Sequence, residues 1–150
     1  MIQKRVLNAE RLRRIDGGFS FIPHRFLTDG FLASLNQREL LLYLFLIVVS
    51  DRHGLSFYSY DTICSLLQFT LDQYIEARDG LIEKDLIAFD GTIFQVLELP
   101  SRPKKGSGPK SILDSERGED PAAIARLIRQ SLQEAEDDRY DRGQARTSHR

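Results

Sequence analysis

The chain has 150 residues, 41% hydrophobic and 29% charged, with a net charge of −1, values that suit one compact domain with tails. A single cysteine, Cys64, excludes an internal disulfide and with it a disulfide-stapled secreted scaffold. The longest apolar run, residues 40–49, is half the roughly 20 residues that a membrane span needs, and residues 1–5 run into charge, so a cytoplasmic protein is expected.

Residues 1–15 alternate basic and apolar side chains (Arg5, Val6, Leu7, Arg11, Leu12, Arg13, Arg14, Ile15), which suits a short amphipathic helix or an arm ended by Gly17-Gly18. An aromatic stretch, Phe19, Phe21 and Ile22, stops at Pro23, and residues 26–35 hold enough apolar side chains for one short helix. Residues 36–50 read as a helix opened by a capping box, with Asn36 at the N-cap and Glu39 at N3. A turn at Asp51-Arg52-His53-Gly54 leads to a short strand over 55–58. Ser59 caps a second helix over 60–67. After Gln68-Phe69, Thr70 and Gln73 form another capping box and open a third helix running to about Asp85.

Residues 86–89 and 92–99 are β-rich and flank Asp90-Gly91, a pair favoured in two-residue type I′ hairpins. Residues 101–118 are rich in Ser, Pro, Gly and Lys and read as a flexible basic linker. Asp120 and Pro121 suit the N-cap and N1 of a last amphipathic helix over 119–138. Its stripe of Ile124, Leu127, Ile128 and Leu132 gives way to Glu134, Glu136, Asp137 and Asp138. Residues 139–150 are expected to be a disordered tail.

The fold class is therefore mainly α with a small β-hairpin: a basic arm over 1–18, a winged helix-turn-helix domain over 19–100, the linker and the C-terminal helix. The two or three residues joining the second and third helices force a sharp angle, and Leu81-Ile82-Glu83-Lys84-Asp85-Leu86-Ile87 carries the third helix directly into the first wing strand. The segment 59–87 resembles the helix-turn-helix of bacterial winged-helix proteins. It is most similar to the N-terminal domains of plasmid and phage replication initiators and to small helix-turn-helix proteins of mobile elements. The resemblance implies duplex DNA as partner, with the third helix approaching bases. One position differs: Asp85 stands where such proteins often have Gly before the first wing strand.

The charge is uneven. Residues 1–34 hold six Lys/Arg against three Asp/Glu, residues 35–100 four against ten, and residues 101–118 five against two. An acidic core thus lies between two basic segments. On the third helix Asp72, Glu76, Asp79 and Glu83 form one stripe opposite the apolar positions, and four carboxylates oppose entry into a groove lined with phosphates. Thr70, Gln73 and Arg78 are the favourable base-contacting candidates there. Arg11, Arg13 and Arg14 on the arm, with Lys104 and Lys105 on the linker, are candidates for phosphate contact. The bland readings are a solvated helix face and charges that serve solubility. In a second functional reading, Asp72, Glu76, Asp79 and Glu83 meet a basic protein partner.

The helix over 36–50 is apolar on every side and must be covered all round, by residues 19–31 or by a second copy in an isologous dimer. The C-terminal stripe poses the same requirement. His24, His53 and His149 are scattered and Cys64 stands alone, so no metal, cofactor or nucleophile is expected. Residues 106–111 have a phosphate-loop look but lack the Gly before Lys110. A non-enzymatic protein is expected.

Overall fold

The computed structural model of the chain describes residues 1–104 and 120–145. Residues 1–24 are exposed throughout, and their one regular element is a 3-10 turn at Ala9–Arg11, capped by Asn8. The segment is an arm rather than an amphipathic helix. Val6, Leu7, Leu12 and Ile15 have nothing to pack on, and a short helix without a buried face does not hold. The single helix expected over 26–35 is instead two, α1 (Arg25–Thr28) and α2 (Phe31–Ser34). The break falls at Gly30, whose φ of 87° only glycine adopts cheaply, and it lets both Phe26 and Phe31 turn into the core.

α3 (Gln37–Val49) carries the capping box: Asn36 Oδ1 accepts from the Glu39 N–H at 2.8 Å, and Glu39 Oε1 accepts from the Asn36 N–H at 2.9 Å. Leu42, Tyr43, Leu46 and Ile47 are buried, whereas Leu41 and Val48 on the far side are exposed. The aromatic stretch therefore covers α3 only in part, since Phe26 and Phe31 enter the core but Phe19 and Phe21 stay exposed.

Strand β1 (Leu55–Ser56) is two residues, shorter than the expected four. α4 (Tyr60–Leu67) follows, capped by Ser59, and its chain reverses at Gln68, in the left-handed region at φ 57°. α5 (Leu71–Glu83) opens with the Thr70–Gln73 capping box and ends two residues before Asp85. Asp85 itself has φ 61°, so it takes the left-handed conformation for which glycine is the usual choice, and which Asp tolerates better than most residues.

The wing is β2 (Ile87–Phe89) and β3 (Phe94–Val96), both shorter than their β-rich segments. The sheet has a third member, because β1 pairs antiparallel with β3 on its other edge, giving the order β1-β3-β2. Phe89 opposes Phe94, and their rings stack at 4.2 Å. The turn is centred on Gly91-Thr92 rather than Asp90-Gly91. Its organiser is the Asp90 carboxylate, which accepts the N–H groups of Thr92 (2.8 Å) and Ile93 (2.7 Å).

Ile63, Tyr74, Leu81, Leu86 and Phe94 join Leu42 and Leu46 in the core, so α3, α4, α5 and the wing bury one continuous cluster. The architecture is mainly helical, a helix-turn-helix with a three-stranded wing and a C-terminal helix. That helix, α6 (Pro121–Ala145), continues past residue 138, so part of the expected tail is helical. The linker between residues 105 and 119 and the tail beyond 145 lie outside the described residues.

Candidate nucleic-acid interface

Arg78 does not reach outward from α5. Its side chain is 2% exposed, its guanidinium lies 5.5 Å from the Tyr74 ring centre and 5.3 Å from that of Phe89, and it pairs with Asp79 at 3.2 Å and Asp120 at 2.6 Å. Burial alone lowers an arginine's affinity for its proton, but the Asp79 and Asp120 carboxylates and Tyr74 outweigh it and hold the charge firmly. The expectation that Arg78 approaches bases is therefore corrected. A desolvated guanidinium with two carboxylates and two aromatic faces is a structural cross-brace between α5, the wing and α6.

Asp120 reaches that position as the N-cap of α6: it accepts the Ala122 N–H at 3.1 Å, and both residues are buried. From there α6 runs back along α5. Arg126 and Arg129, one turn apart, meet Asp72 at 3.3 and 2.8 Å. The side of α6 facing the domain therefore carries Ala122, Arg126 and Arg129. Its apolar stripe, Ile124, Leu127, Ile128 and Leu132, is turned to the outside and exposed.

The acidic stripe is thus not uniform. Asp72 is paired with α6 and Asp79 with Arg78, Glu83 is half-buried near the end of α5, and Glu76 is exposed. One turn before Glu76 lies Gln73, half-buried, and at the N-cap stands Thr70, exposed. Their capping box uses Thr70 Oγ1 as acceptor for the Gln73 N–H (3.2 Å) and Gln73 Oε1 for the Thr70 N–H (3.0 Å). The Gln73 amide NH2 remains as donor, and bidentate recognition of adenine has to share the oxygen already engaged by the Thr70 N–H.

Arg11, Arg13 and Arg14 stand exposed on the arm. Lys104 is exposed and pairs with Asp85 at 3.2 Å, next to the start of the wing; Lys105 lies outside the described residues. The structure thus places Thr70, Gln73 and Asp72 together at one end of α5, and removes Arg78 from that surface. The residues that sequence reasoning misses there are Arg126 and Arg129. Their spacing of three on a helix is visible in the sequence, but their partner lies up to 57 residues away.

Cys64 is half-buried, and burial pushes its thiol up, away from the thiolate that a nucleophile needs. Among the described residues, no group of three His, Cys, Asp or Glu side chains is placed to hold a metal ion, and no helix is long and apolar enough to cross a membrane.

Residues 33–87, from the end of α2 through the first residue of β2, match the family model of a helix-turn-helix domain. The chain therefore carries a helix-turn-helix domain, extended by the wing and by α6. No curated protein and no solved structure matches the chain.

Proposed function

We propose that the chain is a non-enzymatic DNA-binding protein of winged-helix type, regulatory or accessory to replication or to the movement of a mobile element. The observation that carries this reading is the helix-turn-helix itself. Two capped helices meet at a three-residue corner, the second opens on the exposed cap Thr70, and a wing follows at once. Thr70 and Gln73 approach the bases, and the arginines of the arm and Lys104 and Lys105 hold phosphates. Anisotropy of a labelled random-sequence duplex tests it: affinity in the micromolar range at about 50 mM salt supports the reading, and no detectable binding at about 20 mM salt ends it.

A second reading is favoured by one residue. Glu76 lies exposed at the middle of α5, where a carboxylate on a DNA-facing helix is repelled by phosphates and gains at most a hydrogen bond from cytosine N4. In that reading Glu76 and its acidic neighbours Asp72, Asp79 and Glu83 meet a basic protein. Asp72→Lys/Glu76→Lys separates the two: loss of the protein complex with raised duplex affinity points to the protein partner, and loss of duplex binding places α5 at the groove.

The reading includes a second copy of the chain. Leu41 and Val48 on α3, and the outward stripe of α6, are uncharged surfaces that an isologous contact would bury. Sedimentation showing a dimer that Val48→Glu or Leu127→Glu dissociates supports this; a monomer at roughly 50 μM, the weak end of specific pairing, counts against it.

A further inference from the structure

We infer that Arg126 and Arg129 of α6 form, with Asp72 as their bracket, a phosphodiester-binding site beside the N-terminal turn of α5. The inference rests on the DNA-binding reading and adds residues outside the matched helix-turn-helix segment.

Asp72 is the second residue of α5, next to the Thr70 cap. One carboxylate there receives two guanidiniums, Arg126 through Nε at 3.3 Å and Arg129 through Nη2 at 2.8 Å. The trio carries a net charge of +1, so α6 reverses the sign at the very end of α5 that an acidic residue had made unfavourable. The two arginines are held in place but not used up. Their side chains are 39% and 46% exposed, and a guanidinium has five N–H donors in a planar fork suited to phosphate oxygens.

The arrangement is rigid for reasons independent of that trio. Asp120 anchors the first turn of α6 through its buried pair with Arg78 and its cap on Ala122, so positions 126 and 129 are fixed in height along α5. The N-terminal turn of α5 adds the positive end of its dipole on the same side. Two guanidiniums and a helix N-terminus, set against one carboxylate, thus converge beside Thr70 and Gln73. A groove-lining phosphate chain fits them, and a carboxylate-rich protein surface does not need the fork.

The test is the salt dependence of binding to a random-sequence duplex of about 20 base pairs. Arg126→Ala/Arg129→Ala should lower the slope of log affinity against log salt by about 1.8, since each phosphate that is no longer neutralised takes away close to 0.9. Arg126→Lys/Arg129→Lys should restore most of the slope, which a purely structural role of the guanidinium forks would not. A slope unchanged in the alanine variant overturns the inference while leaving DNA binding intact. Tighter binding by the alanine variant also overturns it, because α6 would then be covering the surface. Absence of binding by the unmodified chain is distinct from both and removes the DNA-binding reading itself.

Discussion

The Arg78 guanidinium stands 2.6 Å from the Asp120 carboxylate, with both side chains almost fully buried, so the third helix of the domain and the first turn of α6 share one ion pair. Arg78 also lies over Tyr74 and Phe89, and the pair therefore ties three elements together: α5, the wing and α6. Two charges cannot be taken out of water cheaply. Each is worth keeping only while the other is present.

Asp120→Ala should therefore cost about 3 kcal/mol, the lower end for breaking a buried pair, because Asp79 still attends Arg78. Urea denaturation measures the loss, and faster amide exchange in the first two turns of α6 shows where it falls. Adding Arg78→Met to that variant should recover much of the stability, since the unpaired charge is removed with its partner.

Gly80, inside α5, has Glu39 of α3 where a side chain would begin; a Cβ there would fall within the Glu39 carboxylate. That carboxylate is not free to swing aside. It accepts the Asn36 N–H in the capping box and pairs with Lys84 at 2.6 Å. Gly80→Ala should thus destabilise by about 1–3 kcal/mol, despite the gain in helix propensity, and thermal melting checks the sign. A neutral or stabilising result would mean that α3 and α5 are further apart than described.

Burial pushes the Tyr74 hydroxyl up to about 12, from about 10 in an unfolded chain. The neutral phenol is the form that the folded core accepts. Its contribution is therefore complete below pH 10 and is lost as pH rises from about 10 to about 12, on the order of 2 kcal/mol. Denaturant midpoints measured across that range should fall for the natural chain and fall less for Tyr74→Phe.

Much of the fold is legible in the sequence because its signals are local. Asn36 with Glu39, and Thr70 with Gln73, announce helix starts within four residues, and both capping boxes form. The wing is legible as two β-rich segments, and a short strand is legible over 55–58, but not its addition to the far edge of β3, since the pairing partner lies about 40 residues away and no local signal names it. The turn falls one residue later than the Asp-Gly pair suggests because Asp-Gly has two uses. Here the Asp90 side chain organises the loop, rather than its backbone taking the i+1 position of a type I′ turn. The break at Gly30 is marked in the sequence by Asp29-Gly30, a turn pair, but the apolar residues on either side outweigh it and favour one continuous helix.

The candidate site is less legible, and for one reason. Asp72 and Arg78 look alike to a helical wheel whether they meet water, DNA or another part of the chain. Their partners, Arg126, Arg129 and Asp120, lie beyond the linker, and no local rule connects them. Helical periodicity also points the wrong way for α6. It marks Ile124, Leu127, Ile128 and Leu132 as the face to bury, whereas ion pairs turn the opposite face toward α5.

The arm offers an independent test. Arg11, Arg13 and Arg14 are exposed and carry no base-reading geometry, so replacing all three with Ala should weaken binding to every duplex alike. The salt slope should fall by up to about 2.7, and the ratio of affinities between two duplex sequences should stay constant. A changed ratio would show that the arm reads a groove rather than the backbone.

Amide chemical shifts followed through a titration with a short duplex report at once whether DNA binds and which surface meets it. The largest changes are expected on Thr70, Gln73 and Glu76, on Arg126 and Arg129, and on residues 11–14 of the arm. Shifts confined to the exposed side of α3 around Leu41 and Val48, or no shifts at low salt, would mean that α5 and α6 do not form a DNA-binding surface.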